Sequence, residues 1–292
     1  MNAEALRYLK SAVPKGSRVI RARNEAAFLR ALPKATHAIV WNFKTEWFAK
    51  AQRLKVLATP AAGQELVPTQ GPKGVKIHFG HFHGEIMAES VAAFVLAWAR
   101  GFFRPELKAG AWPRTALSDK LYDVAGTKAV IAGYGNVGRA IGAKLSALGV
   151  ESFGLTRHGV FHNTQTLKHS STQTILRNAD WFILALPSTT GTDNFLNASL
   201  LRKLPRKCVV INVGRGNAID EKALYAALKA HRLAGAYLDV RKHEPSGTVP
   251  EFGANVRGLD ALKNCIITPH ASAFSPRYVK LCFKELKDDG CL

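Results

Sequence analysis

Apolar and polar positions along this chain follow two rhythms. Short β-branched and apolar runs at 37–42, 54–59 and 76–80 read as strands. Between them lie stretches such as 25–32, where apolar residues recur every three to four positions, the period of a helix. The first 85 residues therefore read as a small α/β unit. An apolar-rich helix is expected over 86–100. It is followed by an irregular stretch, 101–122, holding Phe102, Pro105, Gly110, Trp112 and Pro113, which reads as a connector or subunit-contact arm.

From residue 128 the pattern becomes strictly strand–helix–strand. Near-continuous apolar runs fall at 129–133, 152–156, 181–186, 208–213, 234–240 and 265–269, with helical segments such as 139–148 and 221–231 between them. Strands that are apolar on both faces and alternate with helices imply a parallel sheet covered on each side. The last segment, 275–292, reads as a helix returning to the first unit. The expected class is α/β with two Rossmann-like or flavodoxin-like domains: 1–85 with 273–292, and a doubly wound parallel sheet over 86–272 inserted into it.

Candidate chemistry gathers where those strands end. Gly133-Tyr134-Gly135-Asn136-Val137-Gly138 lies between an apolar strand and an amphipathic helix, the context that gives a G-x-G-x-x-G run its meaning. Gly133 permits the turn, Gly135 lets backbone approach a pyrophosphate, and Gly138 lets the helix pack on the strand. The N–H groups of Asn136 and Val137 would face phosphate at the positive helix end. The next strand should end in an acid that accepts from the adenosine ribose, yet it ends Leu155-Thr156-Arg157-His158, and Glu151 lies at its opposite end. Thr156 stands where the acid should be. Arg157 can pair with a 2′-phosphate through two charge-assisted bonds, so NADP(H) is expected over NAD(H), with NAD(H) as the alternative.

Three further motifs follow: Asn212-Val213-Gly214-Arg215, Asp239-Val-Arg241-Lys242-His243-Glu244-Pro245, and Pro269-His270-Ala271-Ser272. A cation, an imidazole and a carboxylate after three successive strands suit acid–base chemistry on an anionic substrate. Arg215 offers a planar fork suited to a carboxylate. His270 can donate a proton on reduction and accept one on oxidation. Glu244 would hydrogen-bond the other ring nitrogen and favour the protonated ring. Asp239 closes an apolar strand, where a carboxylate needs partners. It could support the loop of Arg215.

Together with Leu186-Pro187 and Thr192 and with Met87-Ala-Glu89, these motifs resemble the D-isomer-specific 2-hydroxyacid dehydrogenases, the family of glyoxylate/hydroxypyruvate reductases and phosphoglycerate dehydrogenase. The resemblance covers the chain from Glu89 onward, and Ala61-Ala62-Gly63 extends it more loosely into the first unit. It implies catalysis by Arg215, Glu244 and His270, and for Asp239 it implies instead that the side chain orients the nicotinamide amide or the adjacent loop. It places the cofactor against Tyr134, Gly135, Asn136, Val137, Thr156, Arg157, Leu186, Pro187, Thr192, Val213, Gly214, Arg215, Asp239, His270 and Ser272. It places a small 2-keto acid, to be reduced to the D-2-hydroxy acid, against Ala61, Ala62, Gly63, Arg215 and His270. Two departures stand out. The family's acidic or apolar pair after the substrate loop is Gln64-Glu65 here, and its Phe after Asp-Val is replaced by Arg241-Lys242-His243, which reads as an unusually basic rim. The same superfamily contains nucleotide-sensing corepressors with little turnover, and these are the competing reading.

Composition adds limits more than leads. With 47% hydrophobic residues among 292, a sizeable core is affordable and disorder is excluded. The longest apolar run, 91–99, is far short of the roughly 20 residues that span a bilayer, so no membrane partner is expected. Cys208, Cys265, Cys282 and Cys291 show no metal or redox spacing. His81 and His83 lack a third ligand, so no metal is expected. A cytoplasmic setting fits; the ending Gly290-Cys291-Leu292 is only faintly like a peroxisomal address. Forty-one basic against 21 acidic residues give a formal charge of +20, but without basic runs. The charge reads as a field drawing in anionic substrate and cofactor, not as a nucleic-acid surface. A homodimer built on the larger domains is expected.

Overall fold

The computed structural model describes residues 3–104, 106–107, 112, 114–157, 159–162, 165–167, 170–244 and 258–292. Pro105, Gly110, Pro113, His158 and Pro245, singled out above, lie outside them. The chain divides into two compact units, Met1–His83 with Phe274–Leu292, and Gly84–Ala273.

The first unit starts with α1 (Ala3–Ala12) and α2 (Glu25–Ala31), the latter capped by the Asn24 side chain on the Ala27 N–H. Three short strands follow, β1 (His37–Ile39), β2 (Val56–Thr59) and β3 (Lys76–Phe79), in a parallel sheet of order β1-β2-β3. Leu57 and Ala58 of the central strand are wholly buried, each on a different face.

The larger unit opens with α3 (His83–Ala99), apolar around most of its circumference because the sheet and its neighbours cover it. A short α4 (Arg114–Leu117) precedes the sheet. The next elements are β4 (Lys128–Ala132), α5 (Asn136–Ser146), β5 (Glu151–Thr156), β6 (Gly159–His162) and β7 (Gln165–Leu167). Then come α6 (Ser170–Arg177), β8 (Trp181–Leu184), α7 (Ala198–Lys203), β9 (Val209–Asn212), α8 (Glu221–Lys229), β10 (Gly235–Leu238) and β11 (Cys265–Ile267). Strand order is β11-β10-β9-β8-β4-β5-β6-β7. Successive residues of one strand serve opposite faces: Phe182 and Leu184 enter one core, Trp181 and Ile183 the other, all with zero exposure. Burying each such side chain contributes about 1.5–3 kcal/mol.

One expectation needs correction. The rhythm after β5 is not strand–helix–strand: β5 pairs antiparallel with β6, and β6 antiparallel with β7, so a hairpin closes this edge. Short strands carrying His162 and Gln165 lack the apolar run by which the other strands announce themselves.

The chain ends in α9 (Tyr278–Asp288), which belongs to the first unit and packs on α1. It is fastened to β3 by His78, whose Nε2 lies 3.0 Å from Glu285 Oε1 and whose Nδ1 lies 3.5 Å from Asp289 Oδ2. The histidine pair noted in the sequence was His81 and His83, but the cluster that forms is His78 with two carboxylates. It is closed on itself, since Glu285 also accepts the His81 N–H.

Candidate active site

Parallel strands deliver their C-terminal ends to one edge of the sheet, and the loops there follow strand order. His270 follows β11, Glu244 follows β10, Arg215 follows β9, the 187–192 loop follows β8, the glycine loop follows β4, and Arg157 follows β5. The chain reverses its winding between β4 and β8, and ligands of open α/β sheets bind at such a switch point. At about 4.8 Å per strand spacing, the row from His270 to Arg157 spans roughly 24 Å.

The glycine loop has the features of a phosphate cradle. A Cβ at Gly138 would stand 2.1 Å from Gly133 O, so only glycine lets α5 begin this close to β4. Gly135 is the N-cap of α5 and no side chain caps that end, while a Cβ there would meet nothing within 4 Å. Donors at a positive helix end beside open space fit a pyrophosphate. The Tyr134 ring packs over Gly154 and Gly142.

Arg157 occupies the exposed turn between β5 and β6, and its Nη2 lies 3.9 Å from where a Gly191 Cβ would be, bordering the 187–192 loop. The hydroxyls of Thr156 and Thr192 both make hydrogen bonds within the protein. Thr156 Oγ1 donates to Gly159 O at 3.1 Å and closes the hairpin. Thr192, only 6% exposed, lies 2.7 Å from Pro187 O and accepts the Thr189 N–H, giving the 187–192 loop its shape.

The loop of Arg215 is set from below by a residue of its motif whose role the sequence does not show. Asn212, fully buried, accepts the Gly214 N–H at 3.1 Å and donates to Arg215 O at 3.0 Å. Arg215 itself is partly buried and donates through Nη1 to Gly214 O at 2.9 Å.

Asp239 decides which of the two loops it supports. Its carboxylate, 1% exposed, accepts Thr268 Oγ1 at 2.6 Å, Ala271 N at 2.8 Å and Ser272 N at 3.0 Å. Its carbonyl accepts His270 N at 2.9 Å. The side chain therefore holds the His270 loop, not the Arg215 loop. His270 sits at φ +53°, a left-handed conformation that histidine seldom adopts, within that hydrogen-bonded frame. Its Nδ1 lies 2.9 Å from Glu244 Oε2, which leaves Nε2 as the ring nitrogen that can face a substrate. Asn212 stands inside the Arg215 motif and Thr268 beside that of His270, but only the folded loops reveal what they hold.

Of the basic rim expected from Arg241-Lys242-His243, Lys242 and His243 are exposed and Arg241 is not. Arg241 is bound by Glu221 and Asp260, so its charge is spent within the protein. In the first unit, the Ala61 N–H is taken by Thr59 Oγ1 at 3.1 Å and is not offered to a ligand.

Comparison with known proteins agrees with this layout. The sequence model of the D-isomer specific 2-hydroxyacid dehydrogenase NAD binding domain matches residues 92–272. The chain belongs to the D-isomer-specific 2-hydroxyacid dehydrogenase family. It is 29% identical over 245 residues to a glycerate dehydrogenase of Methylorubrum extorquens, covering 81% of this chain and 74% of that protein. It is 30% identical over 238 residues to glyoxylate/hydroxypyruvate reductase B of Erwinia tasmaniensis, covering 77% and 71%. Among solved structures, the NADPH-dependent glyoxylate/hydroxypyruvate reductase of Sinorhizobium meliloti in complex with NADP superposes with a TM-score of 0.76 at 26% identity, covering 98% of this chain and 90% of that one. Members of this family are NAD(P)-dependent oxidoreductases. Among the described residues, no helix is long and apolar enough to cross a membrane.

Proposed function

We propose that the protein uses NADPH to reduce a small 2-keto acid of the glyoxylate or hydroxypyruvate class to the D-2-hydroxy acid. The observation that carries the proposal is the His270–Glu244 pair, 2.9 Å apart, on strand ends next to that of Arg215. The bound nicotinamide would supply the hydride. Arg215 holds the substrate carboxylate with its planar fork. His270, its Nδ1–H directed at Glu244, delivers the Nε2 proton to the carbonyl oxygen as negative charge develops there. Glu244 fixes the ring's orientation and balances its charge. Arg157 at the adenosine end favours the 2′-phosphate of NADPH, since no acid stands at that strand end to repel it. The substrate role of the 61–63 loop then rests on Ala62 and Gly63.

Assembly as a homodimer is part of the proposal. Phe102 is 68% exposed and Trp112 91% exposed on the stretch between α3 and β4, a large apolar surface for a protein to leave in water. The test of function is a panel of 2-keto acids with NADPH and NADH, following the absorbance of the reduced cofactor. Turnover of glyoxylate or hydroxypyruvate, faster with NADPH, is expected. Tight nucleotide binding without turnover of any keto acid would overturn the reading in favour of a nucleotide-sensing role.

A further inference from the structure

Arg241 is the centre of an ionic cluster that joins the three loops bearing Arg215, Glu244 and His270. Its Nε donates to Glu221 Oε1 at 3.0 Å and its Nη1 to Asp260 Oδ1 at 2.9 Å. Glu221 opens α8, directly after the Arg215 loop. Asp260 lies in the 3₁₀ turn Gly258–Ala261, which leads into β11 and so to His270. Arg241 itself begins the segment that ends in Glu244, and its own N–H points to Glu244 Oε1 at 3.3 Å. Lys242 adds an N–H to Glu221 Oε1 at 2.9 Å.

Shape reinforces the charge. A Cβ on Gly216, next to Arg215, would stand 1.9 Å from the carbonyl carbon of Arg241, so the two loops touch backbone to backbone. All three charged side chains are about three-quarters buried, at 22%, 25% and 26% exposure. Burial pushes the Glu221 carboxyl up, but hydrogen bonds from the Arg241 guanidinium and the Lys242 N–H outweigh it and hold the group below its ordinary value. Burial likewise works against the Arg241 charge, and Glu221 and Asp260 more than compensate. A guanidinium can reach two carboxylates at once through its rigid fork; an ammonium cannot hold both in fixed geometry.

We infer that Arg241 is a positioning residue for keto-acid reduction: by pinning Glu221 and Asp260 it sets the segment from which Glu244 reaches the His270 ring. The inference rests on the proposed function for its kinetic arm only. Arg241→Ala is expected to lower turnover about 10- to 100-fold, the scale of a catalytic group displaced by about 1 Å. The KM for NADPH should change less than turnover, because the Arg241 side chain pairs with neither the glycine loop nor Arg157. Arg241→Lys should recover part of the loss. In a Glu244→Gln background, Arg241→Ala should add no further loss, since its effect passes through Glu244. Losses that add fully in the double variant would overturn the inference.

A second measurement does not need turnover. In the cofactor-free protein, the His270 ring nitrogens observed by NMR should move in Arg241→Lys and Arg241→Ala towards their position in Glu244→Gln. Unmoved ring signals in folded variants would overturn the inference. If wild type reduces no keto acid, the functional proposal fails while the ring signals still judge the cluster.

Discussion

Asp239→Asn tests whether a single buried carboxylate holds the catalytic histidine in place. The carboxylate accepts three hydrogen bonds, from Thr268 Oγ1, Ala271 N and Ser272 N, at 1% exposure. Asparagine keeps one acceptor oxygen. Placed at Oδ1 it can still serve Thr268 and Ala271, but its NH2 then faces the Ser272 N–H, donor against donor. Leaving a buried donor unsatisfied costs about 1–3 kcal/mol. For a unit of this size, each kcal/mol lowers the melting temperature by roughly 2–4 °C, so a loss of about 2 kcal/mol should lower it by roughly 4–8 °C. Thr268→Val removes the bonds to Oδ1 and to the Tyr237 hydroxyl but leaves the Ala271 and Ser272 N–H groups paired with the carboxylate, so it should loosen the loop less. Thermal unfolding followed by circular dichroism measures both. Turnover should fall with the same ranking, because His270 rides on this loop. If Asp239→Asn melts and turns over like wild type, the carboxylate does not hold the loop.

Three other outcomes follow from the structure. Arg157→Ala should lower NADPH efficiency relative to NADH about tenfold to a hundredfold, the value of a charge-assisted phosphate contact; an unchanged ratio would remove Arg157 from cofactor choice. Light scattering at micromolar concentration should give a dimer, and Trp112→Asp combined with Phe102→Asp should give a monomer. The thiols should resist alkylation until the protein unfolds, because all four are buried and burial pushes Cys265 and Cys282 each up to about 12; rapid reaction of native protein at neutral pH would contradict this.

What the sequence could disclose was local. A four- or five-residue apolar run is enough to announce β4, β8 or β9, since a strand buried on both faces tolerates nothing else. The glycine loop is legible for a similar reason: Gly138 is demanded by a carbonyl 2.1 Å from its missing Cβ, and such a demand leaves one residue type in place. Arg215, Glu244 and His270 could be singled out because each follows an apolar run, and the structure brings them to three neighbouring strand ends. What remained hidden was relational. The β6–β7 hairpin lies at the sheet edge and needs no apolar run. The hydroxyls of Thr156 and Thr192 shape their own loops, through carbonyl partners that no spacing shows. Arg241 looked like a rim charge until Glu221 and Asp260, some twenty residues away on either side, folded onto it. Partners at that distance leave no spacing in the sequence.

The central claim is that His270, held by Glu244, is the proton donor for keto-acid reduction. Its most direct test is the turnover of His270→Ala against wild type at saturating NADPH and keto acid. A positioned general acid is worth about 10²–10⁴ in rate, so the variant should lose that much while still binding NADPH. Reduction by His270→Ala at a rate near that of wild type would contradict the account.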